Sequence, residues 1–180
     1  ENNYGVSFGR RIWRGAAITV DGSQNRIRGN VNGNILVPLP NERTALAPDP
    51  ALRAIVQRIL NAYPDAIPNR PDINQRMLNT NAPQRINDDA FSARLDQSLS
   101  DRDTLTLRHS FTTQKVDAFQ LIDGQNPDTT TRAHTAQIGW NRAWTASTNA
   151  TMSVLFDRVT TLLVAEPNAA PPPKFTCALS

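Results

Sequence analysis

Asn149-Ala150-Thr151-Met152-Ser153-Val154-Leu155-Phe156-Asp157 puts Ala150, Met152, Val154 and Phe156 on one side of an extended chain and Asn149, Thr151, Ser153 and Asp157 on the other. It is the clearest of four alternating runs between Ala90 and Leu163, divided by short polar turns and one longer loop. In the first, Phe91, Ala93, Leu95 and Leu99 oppose Ser92, Arg94, Asp96 and Ser98; in the second, Leu105, Leu107, His109 and Phe111 oppose Thr104, Thr106, Arg108, Ser110 and Thr112. The third sets Ala136, Ile138, Trp140 and Trp144 against Thr135, Gln137, Gly139 and Asn141. A period of two is the signature of strands with unlike faces.

Alternation fits a soluble sheet with one wet face or a transmembrane barrel with lipid outside and a polar interior. These runs reach roughly 13 to 15 residues, whereas globular strands usually have about 5 or 6 and a tilted membrane strand needs ~9 to 11. Length therefore favours a mainly β, antiparallel up-and-down meander forming part of a transmembrane β-barrel. A soluble secreted β-rich binding module stays open as the alternative.

Outside the four runs, Tyr4, Val6 and Phe8 and then Ala16, Ile18 and Val20 alternate with polar or small residues, predicting a hairpin. The expected strands are 4 to 9, 16 to 25, 86 to 99, 104 to 118, 132 to 145 and 149 to 164. Asn25 to Pro40 breaks the period, and prolines 64, 68, 71 and 83 with their neighbouring asparagines predict irregular backbone, so a long extracellular loop is expected over 26–85. It contains one helix, 50–63: Leu52, Ile55, Val56, Ile59, Leu60 and Tyr63 share a helical face, Asp49 caps, Pro50 suits the first turn and Pro64 stops it. That apolar stripe is expected to pack on the surrounding loop, because the polar face is not basic enough for lipid headgroups.

The expected connections alternate in length: Arg10 to Gly15 short, Asn25 to Ile86 long, Ser100 to Asp103 short, Phe119 to Thr131 longer, Thr145 to Thr148 short. Outer-membrane barrels have short periplasmic turns and long outer loops, and a soluble meander has no reason to keep such parity. Trp140 and Trp144 then lie near a periplasmic turn, with Arg142 close enough to snorkel. On this reading Leu95, Leu105, Leu107, Ile138, Trp140, Met152, Val154 and Phe156 meet lipid. Arg94, Asp96, Arg108, Gln137, Asn141 and Asp157 face the lumen or a plug.

In composition the chain has 180 residues, one core's worth by default, and a net charge of +3 carried almost wholly by scattered arginines. Without a basic stripe, nucleic acid is not an expected partner. Cys177 is the only cysteine, excluding an internal disulfide framework. No run approaches the ~18 apolar residues of a membrane helix, and the start at Glu1 does not read as a signal peptide. His109 and His134 lack a Cys or carboxylate at ligand spacing, so no metal or cofactor site is expected. Ser110 points away from its neighbour His109 and has no glycine elbow. Asp123, Asn126 and Asp128 around Gly124 lack calcium-loop spacing and read as turn formers, as does Asp101-Arg102-Asp103. No catalytic set is assembled, and no enzyme is expected.

Arg26-Ile27-Arg28-Gly29-Asn30-Val31-Asn32-Gly33, Pro38 through Arg43, Asn79-Thr80-Asn81-Ala82-Pro83-Gln84, and Gln125-Asn126-Pro127 followed by threonines resemble TonB-dependent outer-membrane receptors, specifically an interior part of the barrel in the Oar-like group. The likeness spans about residues 1–168, with 169–180 an irregular tail containing Pro171, Pro172 and Pro173. It implies energy-coupled uptake of a large, unidentified solute across the outer membrane of a Gram-negative bacterium. The implied partners are outer-membrane lipid, a plug domain, the remainder of the barrel and the TonB complex. Plug, regulatory-like domain and TonB box are not found within these residues, so this stretch is not expected to transport alone. No motif fixes the family's ligand residues, and none is carried over.

Overall fold

The computed structural model describes residues 1–165. Six strands, β1 (Asn2–Trp13), β2 (Ala16–Leu36), β3 (Met77–Ser98), β4 (Asp103–Asp117), β5 (Asp128–Thr145) and β6 (Thr148–Val164), pair in sequence order into one sheet. The meander is antiparallel, as the sequence predicts. A 3-10 turn at Pro40–Glu42 and one helix, α1 (Pro50–Asn61), lie between β2 and β3. Connections at 14–15, 99–102 and 146–147 are tight, and those at 37–76 and 118–127 are long. The tail 169–180, Cys177 included, lies outside the described residues.

Several strands outrun the sequence-based boundaries. β1 continues through Arg10 and Arg11, which pair with Ile18 and Ala17 before a bulge brings Trp13 opposite Ala16. The turn closes at Gly15, whose φ of 77° suits glycine. β2 runs to Leu36 and β3 begins at Met77, so the long loop is 37–76 and not 26–85. The apparent loss of period after Asn25 is a change of phase. In the first half of β2 the apolar residues are even-numbered, Ile18 and Val20; in the second they are odd-numbered, Ile27, Val31 and Ile35, against Arg26, Arg28, Asn30, Asn32 and Asn34. β3 mirrors it, with Leu78, Ala82 and Ile86 even and Phe91, Ala93 and Leu95 odd. Asn32 and Asn34 bond the side chains of Asn79 and Asn81 at 2.7 to 3.1 Å, tying β2 to β3 where the sequence suggested a loop. Pro83 is tolerated because β4 has ended: its last partner, Asp117, faces Arg85, and beyond it β3 no longer needs donors on that edge.

Contact density divides the chain into two compact units. The first comprises 1–28, 85–117 and 129–163; the second is built around 29–84 and 118–128. The second has a conventional core of Ile35, Val37, Leu78, Ala82 and Leu121, with Tyr63, Phe119 and Ile122 packed against it. Val37 is 1% exposed. Gly33 lies under Leu121, where an added Cβ would stand 2.3 Å from Leu121 Cδ1, so only glycine lets that side chain in. Turn chemistry at the tip is as read from the sequence: Asp128 accepts from Ala118 N at 2.9 Å, Asn126 donates to Phe119 O at 2.7 Å, and Gly124 has φ 78°.

α1 is capped by Asp49, whose Oδ1 accepts from Ala51 N at 2.9 Å. It stops two residues before the expected end. Its apolar stripe packs as expected only at its end, through half-buried Leu60 and Tyr63: Leu52 is 54% exposed, and Ile55, Val56 and Ile59 are also exposed. The helix is held instead along its flank by Gln57, which accepts from Ala45 N and donates to Arg43 O at 3.0 and 2.9 Å.

Candidate functional site

The surface that decides what this protein does is the sheet face of the first unit. Strand register places Leu95, Leu107 and Ile138 side by side, flanked by the rows Ala93–His109–Ala136 and Gln97–Leu105–Trp140. Phe91, Phe111 and His134 form the next row. On β1 and β2 the same parity carries Val6, Phe8, Ile18 and Val20; on β6 it carries Met152, Val154 and Phe156. Val154 is 72% and Phe156 60% exposed, and of the buried apolar side chains only Ala16 belongs to this unit. The predicted lipid-facing residues are thus brought into one band. Soluble monomers rarely leave such a surface bare, because apolar area in water costs about 25 cal/mol per Å². Among the described residues its β6 part, Met152, Val154 and Phe156, lies open, as a lipid-facing surface requires.

The other face is mostly polar on β3–β5, while on β6 Leu155, Val159 and Leu163 share it with Thr151, Ser153 and Asp157. Arg94, Arg108 and Gln137 share a row, followed by Asp96, Thr106 and Gly139. Arg94 donates twice to Asp96 at 2.7 and 2.9 Å, and Thr106 donates to the same carboxylate at 2.8 Å. Ser92 donates to Asp21 at 3.1 Å, and Thr151 to Asn141 at 3.2 Å. The predicted lumen set therefore shares one side, where water or protein must satisfy what the strands do not.

Polar belts bound the band at both ends. Beside the tight turns stand all three tryptophans, Trp13, Trp140 and Trp144. Trp13 Nε1 donates to Gln97 at 2.6 Å, and the Arg142 guanidinium lies 5.4 Å from the Trp144 ring and 3.6 Å from Asp103. Indole rings suit a boundary where one edge is apolar and the other wet. Trp13 was missed in the sequence because β1 was expected to stop at residue 9. At the opposite end, Arg26 meets Asp89 at 2.5 Å and Arg28 donates to Asn87 at 2.6 Å. Between the Gln97–Leu105–Trp140 row and the Asp89–Thr113–Arg132 row lie three residue rows, so the belts are four row spacings apart, roughly 27 Å of strand before allowance for tilt, close to the ~25 Å band of such barrels.

The remaining candidates resolve simply. His109 and His134 come together, their ring centroids 6.0 Å apart, and Phe111 stacks on His134 at 4.6 Å. Among the described residues no group of three or more potential ligand side chains is placed for a metal. In Asp101-Arg102-Asp103, the Asp103 carboxylate accepts from Ser100 Oγ at 2.7 Å while its backbone N donates to that oxygen, closing the turn. Ser110 lies opposite Ser92 on the polar face, away from His109.

Among known families, the model of the outer membrane beta barrel domain matches residues 2–176. Neither curated proteins nor solved structures gave a match. The apolar band, its aromatic boundary and the polar reverse face are the physical content of that match, and the chain belongs to the outer membrane β-barrel domain family, whose place is the outer membrane of a Gram-negative bacterium.

Proposed function

We propose that this chain is a wall section of a TonB-dependent receptor, in which further strands and a plug complete a barrel that takes up a large solute. The observation carrying this reading is the charged inner face combined with open sheet edges. Arg94 and Arg108 lie directly opposite each other and remain exposed, an arrangement for a lumen holding water or protein and unlike the side-chain-filled interior of a small closed barrel. β1 and β6 each have one neighbour, and lipid does not tolerate a bare strand edge. The loop phrases at 26–33, 38–43, 79–84 and 125–127 favour a TonB-coupled receptor among the possible large barrels. Lipid, plug, TonB complex and solute are the partners of this reading. It contains no catalytic step, cofactor or nucleic acid.

The test is uptake by cells carrying the complete gene, compared with a deletion of that gene and a deletion of tonB. The reading expects the same panel of large solutes to be lost in both deletions. Uptake that depends on this gene but persists without TonB overturns it.

A further inference from the structure

The two ends of the apolar band treat positive charge differently. At the tight-turn end the cation Arg142 is answered by Asp103 and the Trp144 ring. At the long-loop end, Lys115 on β4, Arg132 on β5 and Arg158 on β6 share the lipid-facing side and are exposed. Register sets Lys115 opposite Thr130 and Arg132 opposite Thr113, so these two cations are diagonal neighbours on adjacent strands. The side-chain contacts of Thr131 with Thr161 and of Asn141 with Thr151 align β5 with β6 so that Arg158 falls beside His134, one row from Arg132. Among the described residues none of the three cations has a carboxylate within salt-bridge distance. Of the carboxylates on this side, Asp89 is held by Arg26, Asp128 accepts from Ala118 N, and Asp117, beside Asp128 in the row beyond Lys115, makes no ion pair with the three cations.

Like charges on neighbouring strands repel unless an anion lies between them. This patch borders the band that meets lipid, on the side of the long loops, which is the outer leaflet in an outer-membrane barrel. What borders the acyl chains there is the lipid headgroup, and the anion a headgroup offers to a Lys/Arg cluster is phosphate.

We propose that Lys115, Arg132 and Arg158 form a binding site for the phosphate groups of a phosphorylated outer-leaflet lipid. The site holds that lipid against β4–β6 and fixes the depth of the outer rim, as Trp140 and Trp144 do at the inner rim. Arginine forks across two phosphate oxygens while lysine acts as a point charge, so a phosphate seated between the strands is met by both. The inference rests on membrane residence and not on the identity of any transported solute.

The full-length protein, purified in detergent, is incubated with a phosphorylated lipid A and, separately, with its dephosphorylated form, and retained lipid is counted by native mass spectrometry. Wild type is expected to retain the phosphorylated form only. The triple variant Lys115→Gln/Arg132→Gln/Arg158→Gln should bind it roughly a hundredfold more weakly, from about fivefold per cation. Arg142→Gln, at the other rim, should retain it as wild type does. Equal retention of both lipids by wild type, retention unchanged in a triple variant that keeps native mobility, or displacement of the lipid by millimolar inorganic phosphate overturns the proposal. If the triple variant does not fold, the wild-type comparison of the two lipids and the phosphate competition still decide it.

Discussion

The two units of this chain follow opposite rules with the same strands. In the second, apolar side chains turn toward one another: Val37, Leu78 and Ala82 are buried and the asparagines of β2 and β3 lie outside. In the first, Leu107, Ile138, Val154 and Phe156 are the exposed residues and the partly covered ones include Asp96, Thr106 and Gln137. Within β2 and β3 the apolar parity changes between these regimes, from even to odd along β2 and from even to odd along β3 in the reverse spatial sense. What changes is the solvent. A strand in water hides its apolar side and one in lipid shows it, and the change of phase within β2 and β3 falls where one regime gives way to the other.

Core truncation should expose this contrast most strongly. Leu78→Ala, in the packed unit, is expected to destabilise it by about 2–5 kcal/mol through lost contacts and an unfilled cavity. Hydrogen exchange on the full-length protein should show faster exchange over 37–76 and 118–127, with strand amides of 90–117 unchanged. Faster exchange confined to 90–117 would mean the core has been placed in the wrong unit.

Next comes charge placed on either face of the membrane strands. Leu107→Arg or Val154→Arg should cost about 2–4 kcal/mol near the midplane, and Thr106→Arg or Ser153→Arg much less. Unfolding of the complete barrel from lipid vesicles measures both. Equal costs on the two faces would contradict the assignment of lipid and lumen sides.

The smallest effect is a pH dependence centred on residues 37–43 of the second unit. The Glu42 carboxylate accepts from Leu39 N at 3.1 Å and is clasped by the Arg76 guanidinium, which together hold its pKa below the ordinary 4.5. A depressed carboxylate stabilises the fold above its unfolded value and loses that contribution as pH falls through the folded one. Protection around 37–43 should therefore weaken below about pH 4.5 in wild type and be insensitive to that change in Glu42→Gln. An identical acid response in the variant would assign it to other groups, Asp72 beside Arg70 being the next candidate.

The sequence by itself determined the architecture of the first unit, because a two-sided environment writes a period of two directly into residue type. Phe91 through Phe156 could be assigned to faces from polarity, and strand length with the short-long order of connections favoured a membrane sheet over a soluble one. Only the tertiary structure decided the rest. The parity change in β2 reads locally as a lost pattern, and it becomes a strand only once Asn32 and Asn34 meet Asn79 and Asn81 across some 45 residues of chain. The way α1 is tied down, by Gln57 to Ala45 and Arg43 with Leu52, Ile55, Val56 and Ile59 left exposed, is not encoded in helical spacing. The patch of Lys115, Arg132 and Arg158 was hidden for the same reason: these residues are scattered in sequence, and pairing of neighbouring strands is what gathers them at one rim.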